Sequence, residues 1–341
     1  SFQTKPPIHF MPNKGHSMIV WIKKTAPIAL GLLLVFLTYR LTSAENRAAM
    51  MASMQQVDVF WLLVSVALGV VSHLSRAIRW NYLLAPMGYR PSIMANALII
   101  MMAYLTNLGI PRSGELLRAT TLKTYQGVPF QKGFGTIVTE RIIDLLMLFV
   151  VILGATVLQT EVLLDTLAEK NISLTQTGGV LAALIVGGYF GLRWIQRTQI
   201  KPLVMLREKV SGLLEGSSTV FHMKNKAAFW GHTALIWGCY VAMFWVVKFA
   251  LPDTQELAIG PILVAFVAGA FAMTATNGGI GLYPIAVQQS LMLFGVSAAS
   301  GLAFGWVMWL TQTLLVVVIG AASFILIPFV GKSNSELVVK P

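Results

Sequence analysis

The chain has 341 residues, of which 56% are apolar and only 11% charged, and a formal net charge of +12. A soluble domain carries about 25% charged residues, so this composition excludes a water-soluble globular enzyme. It leaves a membrane protein whose apolar runs reach the roughly 20 residues a helix needs to cross a bilayer core. The runs are continuous and too long for barrel strands, and mean hydropathy is +0.73. The basic excess falls in short loops between apolar runs, which fits a face toward anionic cytoplasmic lipid and not a nucleic-acid site.

In chain order, residues 1–17 read as a polar extension or cloning remnant outside the fold, 18–331 as one transmembrane domain, and 332–341 as a cytoplasmic tail. Candidate spans cover 19–40, 58–79, 133–158, 177–196, 228–250 and 301–330. The first resembles a signal peptide, with Lys23 and Lys24 before an apolar run, but reads better as a first span. Two further apolar stretches, 92–127 and 259–298, are interrupted by Gly and Pro. The loop from 197 to 227 is basic, with Leu203, Leu206, Val210, Leu213 and Leu214 at near-helical spacing, as in a helix lying on the inner leaflet. Cys239 is the single cysteine, which excludes an intrachain disulfide.

Loop charges orient the spans. Lys23, Arg76, Arg79, Arg90, Lys123, Lys132, Arg193, Lys201, Lys224 and Lys332 fall on one side, while Glu45, Glu161, Asp165, Asp253 and Glu256 fall on the other. The positive-inside rule then makes both termini cytoplasmic. Trp21, Trp80, Trp194 and Trp230 lie at expected cytoplasmic span ends and Trp61 at an outer end, as interfacial anchors. Lys248 ends a span and is expected to snorkel.

The interruptions resemble each other. The first reads Thr106-Asn107-Leu108-Gly109-Ile110-Pro111 and the second Thr276-Asn277-Gly278-Gly279-Ile280-Gly281, with Pro284 close behind. Each follows an Ala- and Met-rich run, and by the charge count the first enters from inside and the second from outside. This is the pattern of an inverted repeat with discontinuous helices; the plain alternative is two kinked helices. Irregular backbone at membrane depth requires burial in protein or a watery cavity. The fold expected is therefore all-α and polytopic, with about six full spans plus two broken re-entrant hairpins. Gly109, Pro111, Gly114, Gly278, Gly279, Gly281 and Pro284 mark the breaks.

Charges cluster beside the first break. Arg112, Glu115 and Arg118 share one face at helical spacing, and Glu140, Arg141 and Asp144 follow in the next span. Each such charge costs at least about 2.5 kcal/mol at the centre of a membrane helix, so they are expected to point into the bundle. Arg112 and Arg118 would hold a lipid phosphate, Glu115 would balance them or meet a cationic headgroup, and Glu140, Arg141 and Asp144 would set the local field. A structural salt-bridge network is the alternative for the last three. Asn107, Asn277 and Gln288 would line the same cavity. His73 and His232 read as span-end rings. No zinc pair, nucleophile elbow, Walker loop or dinucleotide fingerprint occurs, so neither metal, cofactor nor catalytic residue is expected.

Asn107, Pro111-Arg112-x-Gly114-Glu115-x-x-Arg118, Glu140-Arg141-x-x-Asp144 and Gly278-Gly279-Ile280-Gly281 together resemble the transmembrane domain of the lysylphosphatidylglycerol synthase/flippase family, over roughly residues 19–330. Many members carry a Glu after the glycine motif, where this chain has Tyr283-Pro284, and space the first motif one residue longer. The resemblance implies a lipid-translocating fold with re-entrant helices, without the synthase activity, which belongs to a separate soluble domain. The expected function is a flippase in a bacterial inner membrane, moving a polar-headgroup lipid between leaflets. The alternatives are a non-transporting partner that presents a lipid or polyprenyl-linked precursor to a separate transferase, and a membrane-embedded enzyme. Membrane lipids are the expected partners, with no nucleic acid; an oligomer is compatible with the sequence.

Overall fold

The computed structural model describes residues 43–110, 112–161 and 223–330, with isolated positions at 33, 36, 39 and 40. The expected spans at 19–40 and 177–196, the amphipathic loop up to residue 222, Pro111 and both terminal segments lie outside the described residues, apart from those isolated positions. Among the described residues the secondary structure is helical throughout.

Helix α1 (Ala44–Gln55) was not anticipated; its Ala- and Met-rich sequence favours helix. Helix α2 (Val59–Leu84) starts at Asp58, whose carboxylate accepts the Phe60 N–H. Helix α3 (Ile93–Gly109) starts at Ser92, whose hydroxyl accepts the Ala95 N–H. Helices α4 (Gly114–Gln126), α5 (Phe130–Leu158), α6 (Lys226–Val247), α7 (Ile259–Ala275), α8 (Leu282–Met292) and α9 (Ala298–Val330) follow. Four of the described helices, α2, α5, α6 and α9, are long and apolar enough to cross a membrane. Both interrupted stretches are helix–break–helix units, α3–α4 and α7–α8, each with its two arms packed together.

The expected span at 58–79 ends too early. Helix α2 runs on to Leu84, and Arg76, Arg79 and Trp80 sit buried inside it, not in a loop. Lys248 does not snorkel: it is 5% exposed, its Nζ donates to the Leu257 carbonyl at 2.7 Å, and it lies over the Trp245 ring. A buried ammonium held by a carbonyl and an aromatic face needs no path to water.

Two apolar cores hold the helices. One gathers Trp80, Leu83, Ile99, Leu122, Ile137 and Phe229 around the first broken unit. The other gathers Phe244, Phe266, Tyr283, Val287 and Phe304 around the second. Helix α9 packs against both units. Its small residues allow the approach: Gly305 faces the Pro284 backbone, Gly301 the Gln288 backbone, and Gly320 the Met101 carbonyl and Leu105.

The first break has a defined local cause. Ile110 precedes Pro111 and is extended, at φ −128° and ψ 114°, as a residue before proline prefers. The chain then turns through Arg112 at φ 56°. The Asn107 side-chain oxygen accepts the Gly114 N–H at 2.7 Å, closing the turn and capping α4. A Cβ on Gly114 would run into the Ala103 carbonyl and the Asn107 amide. In the second break Gly278 takes φ 62°, a left-handed conformation glycine adopts without steric cost, and the Trp309 indole donates to its carbonyl at 2.8 Å.

The breaks touch. Asn277 Nδ2 donates to the Leu108 carbonyl, 169 residues away, and the backbone at Gly278 lies against the Leu108 side chain. Gly114→Ala should therefore lower stability by about 1–3 kcal/mol, the usual cost of overpacking, read as a fall in melting temperature of the detergent-purified protein; Gly109→Ala, where a Cβ meets open space, should cost less.

Candidate functional site

Helix α2 presents Arg76, Arg79 and Trp80 on one face, three and four residues apart. Helix α5 presents Glu140 and Asp144, four apart. Packed together, these faces form a charged network. Arg76 Nη1 donates to Asp144 at 2.8 Å and Arg79 Nη2 to the other Asp144 oxygen at 3.1 Å. Arg79 also stands 3.6 Å from Glu140. Arg76 donates to the Tyr240 hydroxyl at 3.1 Å and Arg79 to Thr233 Oγ1 at 3.3 Å, which ties α6 into the network.

Helix α4 adds Arg118, whose Nη1 lies 2.5 Å from Glu140. Its guanidinium stacks 3.6 Å from the Trp80 ring centroid, a cation–π contact strengthened by desolvation. Trp80 is itself fixed by donating to Thr136 Oγ1 at 2.8 Å. Glu140 is fully buried and Arg118 is 3% exposed, yet Nε and Nη2 of Arg118 have no hydrogen-bond partner among the described residues. Arg118 lines a small, partly open cleft together with Ile100, Ala103, Tyr104, Asn107, Gly114, Glu115 and Arg141. Glu115 is half-buried in it, with Oε2 unpartnered. Arg141 is exposed and makes no ion pair among the described residues.

The expected residues therefore divide. Asn107, Glu115, Arg118 and Arg141 line one cleft; Glu140 and Asp144 stand behind it as counter-charges. Arg112 does not share a face with Glu115 and Arg118: α4 begins at Gly114, so helical spacing does not extend to Arg112, which is exposed in the turn. Asn277 joins the two breaks and is absent from the cleft lining. Gln288 also lies apart, donating to the Ala298 carbonyl at 2.8 Å and so tying α8 to the start of α9. Gly109, Gly114, Gly278, Gly279 and Gly281 lie at or beside the breaks, while Pro284 is on α8 against Gly305.

Arg76 and Arg79, the centre of the network, were read from the sequence as loop charges. Their spacing of three and the adjoining Trp80 were the available signal. His232 accepts or donates a 2.8 Å hydrogen bond with Ser75, and His73 stacks on Tyr104 with ring centroids 5.3 Å apart. No three of His, Cys, Asp and Glu come together among the described residues in a way that could hold a metal ion.

Four guanidinium groups, Arg76, Arg79, Arg118 and Arg141, thus adjoin three carboxylates, Glu115, Glu140 and Asp144. The arrangement carries one net positive charge, and Arg118, which lines the cleft, has two nitrogens without a partner among the described residues. Chemically it can bind an oxyanion, which planar guanidinium groups match in geometry.

The family model for the lysylphosphatidylglycerol synthase TM region matches residues 25–320. The chain belongs to this family. A curated relative, glycosyltransferase AglD of Haloferax volcanii, is 29% identical over 325 residues, covering 83% of this chain and 51% of AglD. The chain thus spans about half the length of that relative. No solved structure matches. The lysylphosphatidylglycerol synthase TM region family is a membrane, lipid-related one, in keeping with the apolar helices here.

Glu140→Gln should cost about 3–5 kcal/mol, because removing one partner leaves Arg118 and Arg79 short of a buried counter-charge. Arg141→Gln, with no ion pair to lose, should leave the melting temperature in detergent unchanged. Equal melting temperatures for the two variants would show that Glu140 is not holding the network.

Proposed function

We propose that this chain moves a polar-headgroup lipid between leaflets, with the headgroup entering the arginine-lined cleft beside the first break while the tails stay in the bilayer. On this reading the two helix–break–helix units are re-entrant hairpins of an inverted repeat, entering from opposite sides. Both termini are cytoplasmic, the membrane is a bacterial inner membrane, and the chain performs no covalent chemistry. The observation that carries the reading is Arg118: a buried guanidinium whose Nε and Nη2 have no partner among the described residues, on a side chain that lines the cleft. A buried unsatisfied donor is costly, and a lipid phosphate would satisfy it. The contact between the breaks adds support, since the Leu108 carbonyl that receives Asn277 is one residue from Asn107 of the cleft, so movement of the second unit would be felt beside the site.

A second reading has its own observation. The match to about half of a protein named a glycosyltransferase fits a lipid-presenting part that works with a separate transferase. Here the same cleft would hold a lipid-linked precursor without carrying it across.

Reconstitution separates the two. Purified chain in liposomes doped with a headgroup-labelled phospholipid should expose inner-leaflet label to an external quencher faster than empty liposomes. The pair Arg118→Lys with Arg141→Gln should slow this by about tenfold or more, since Lys keeps the charge but loses the bidentate fork. Label movement no faster than in empty liposomes, with retained lipid binding, would leave the presenting reading.

A further inference from the structure

His73 lies beside the charged network without joining it. The residue is partly exposed, but its Nδ1 is buried and has no hydrogen-bond partner among the described residues. Its ring packs on Tyr104 of α3, with centroids 5.3 Å apart, and Tyr104 lines the cleft. One aromatic ring therefore touches both the histidine and the cleft. Arg76 follows three residues on along α2, on the same face, and is bonded to Asp144 of α5 and Tyr240 of α6. Glu140 of α5 lies between Arg79 and Arg118. Glu115, Arg118 and Arg141 line the cleft with Tyr104. Helix α9, which also packs on α2, has no titratable side chain.

Among these side chains imidazole is the type that gains and loses a proton near neutral pH. Glu140 and Asp144 each hold two guanidinium groups, and protonating either would strand an arginine. Arginine itself does not deprotonate, and a neutral imidazole carries one N–H and one free lone pair. A second proton on His73 makes a cation one turn from Arg76, whose carboxylate is already shared with Arg79. An anion in the cleft supplies the missing counter-charge, because opposite charges in an apolar interior attract beyond direct contact. We infer that His73 takes up one proton as an anionic headgroup enters the cleft and gives it up as the headgroup leaves, so that lipid and proton move together. The inference rests on the lipid-movement reading above and adds its driving force, a proton gradient. For a singly charged lipid the moving pair is electrically neutral.

The full chain is reconstituted in liposomes with tail-labelled phosphatidylglycerol, and the label in each leaflet is read at steady state with an external reductant. A pH gradient of one unit should draw label about tenfold toward the alkaline face relative to empty liposomes, as one proton per lipid requires. A potassium-diffusion potential alone should leave the distribution unchanged. His73→Gln, with His73→Asn as a second form that cannot titrate, should bring the ratio under the pH gradient close to one and make it follow the potential. A purely structural role for His73 would slow the movement without altering that ratio. Wild type that moves label but ignores the pH gradient, or that follows the potential, overturns the inference while lipid movement stands, and neither result depends on a variant folding. A tenfold ratio surviving in both His73 variants, or lost in Glu115→Gln instead, assigns the proton elsewhere and overturns it. Wild type no faster than empty liposomes removes the lipid-movement reading, and the inference with it.

Discussion

A guanidinium group inside an apolar bundle must be paired or it will not stay there, and three of them lie buried within reach of two carboxylates here. Helices α2, α4 and α5 are held in one arrangement by that requirement. Asp144 takes two arginines, one on each oxygen, and Glu140 lies between Arg79 of α2 and Arg118 of α4. A buried ion pair is weak evidence for stability, because desolvation offsets most of its attraction. Its consequence is geometric: alternative packings of these helices would strand a charge.

The same requirement explains why the network is incomplete on one side. Arg76 has both terminal nitrogens bonded, to Asp144 and Tyr240, as does Arg79, to Thr233 and Asp144, and only Nε of each lacks a partner among the described residues. Arg118 has one carboxylate contact and an aromatic face, and its Nε and Nη2 remain without a partner among the described residues. Trp80 shields one face of the guanidinium, and Arg118 is among the residues that line the cleft. The helix break supplies that opening. A continuous helix through residues 110–113 would carry α4 away from α3, whereas the turn at Arg112 folds it back and brings Gly114 against the Ala103 carbonyl.

Much of this was legible in the sequence. The four described helices long enough to span a membrane fall where apolar run length put them, with ends moved by a few residues. Both breaks fall at their Asn-containing motifs, because proline and glycine act on local backbone geometry that needs no tertiary information. Arg76 and Arg79 were misassigned because they lie at the end of the expected span 58–79 and were counted with the loop charges, and partners on α5 and α6 are invisible to a local window. Arg112 was misassigned for the opposite reason: helical spacing was extended across a turn that ends the helix. Gln288 was placed by nearness in sequence to the second break, but its hydrogen bond goes to the start of α9. Sequence showed which residues were too polar for lipid; only packing showed which of them face one another.

Asn107 joins the site to the fold. Its side-chain oxygen closes the first break by accepting the Gly114 N–H, and the same residue lines the cleft beside Arg118. One residue on, the Leu108 carbonyl receives Asn277 from the second break. Two adjacent residues thus connect the cleft lining, the turn of one broken unit and the tip of the other. Helix α9 packs against both units, and Trp309 on it holds the Gly278 carbonyl. The second break is therefore anchored to α9 as well as to Leu108. Displacement of the second unit relative to the first must break the Asn277 bond, and displacement relative to α9 must break the Trp309 bond. In an apolar setting the freed carbonyls would need other partners. The junction is thus a place where movement is coupled to hydrogen-bond exchange, within two residues of the cleft.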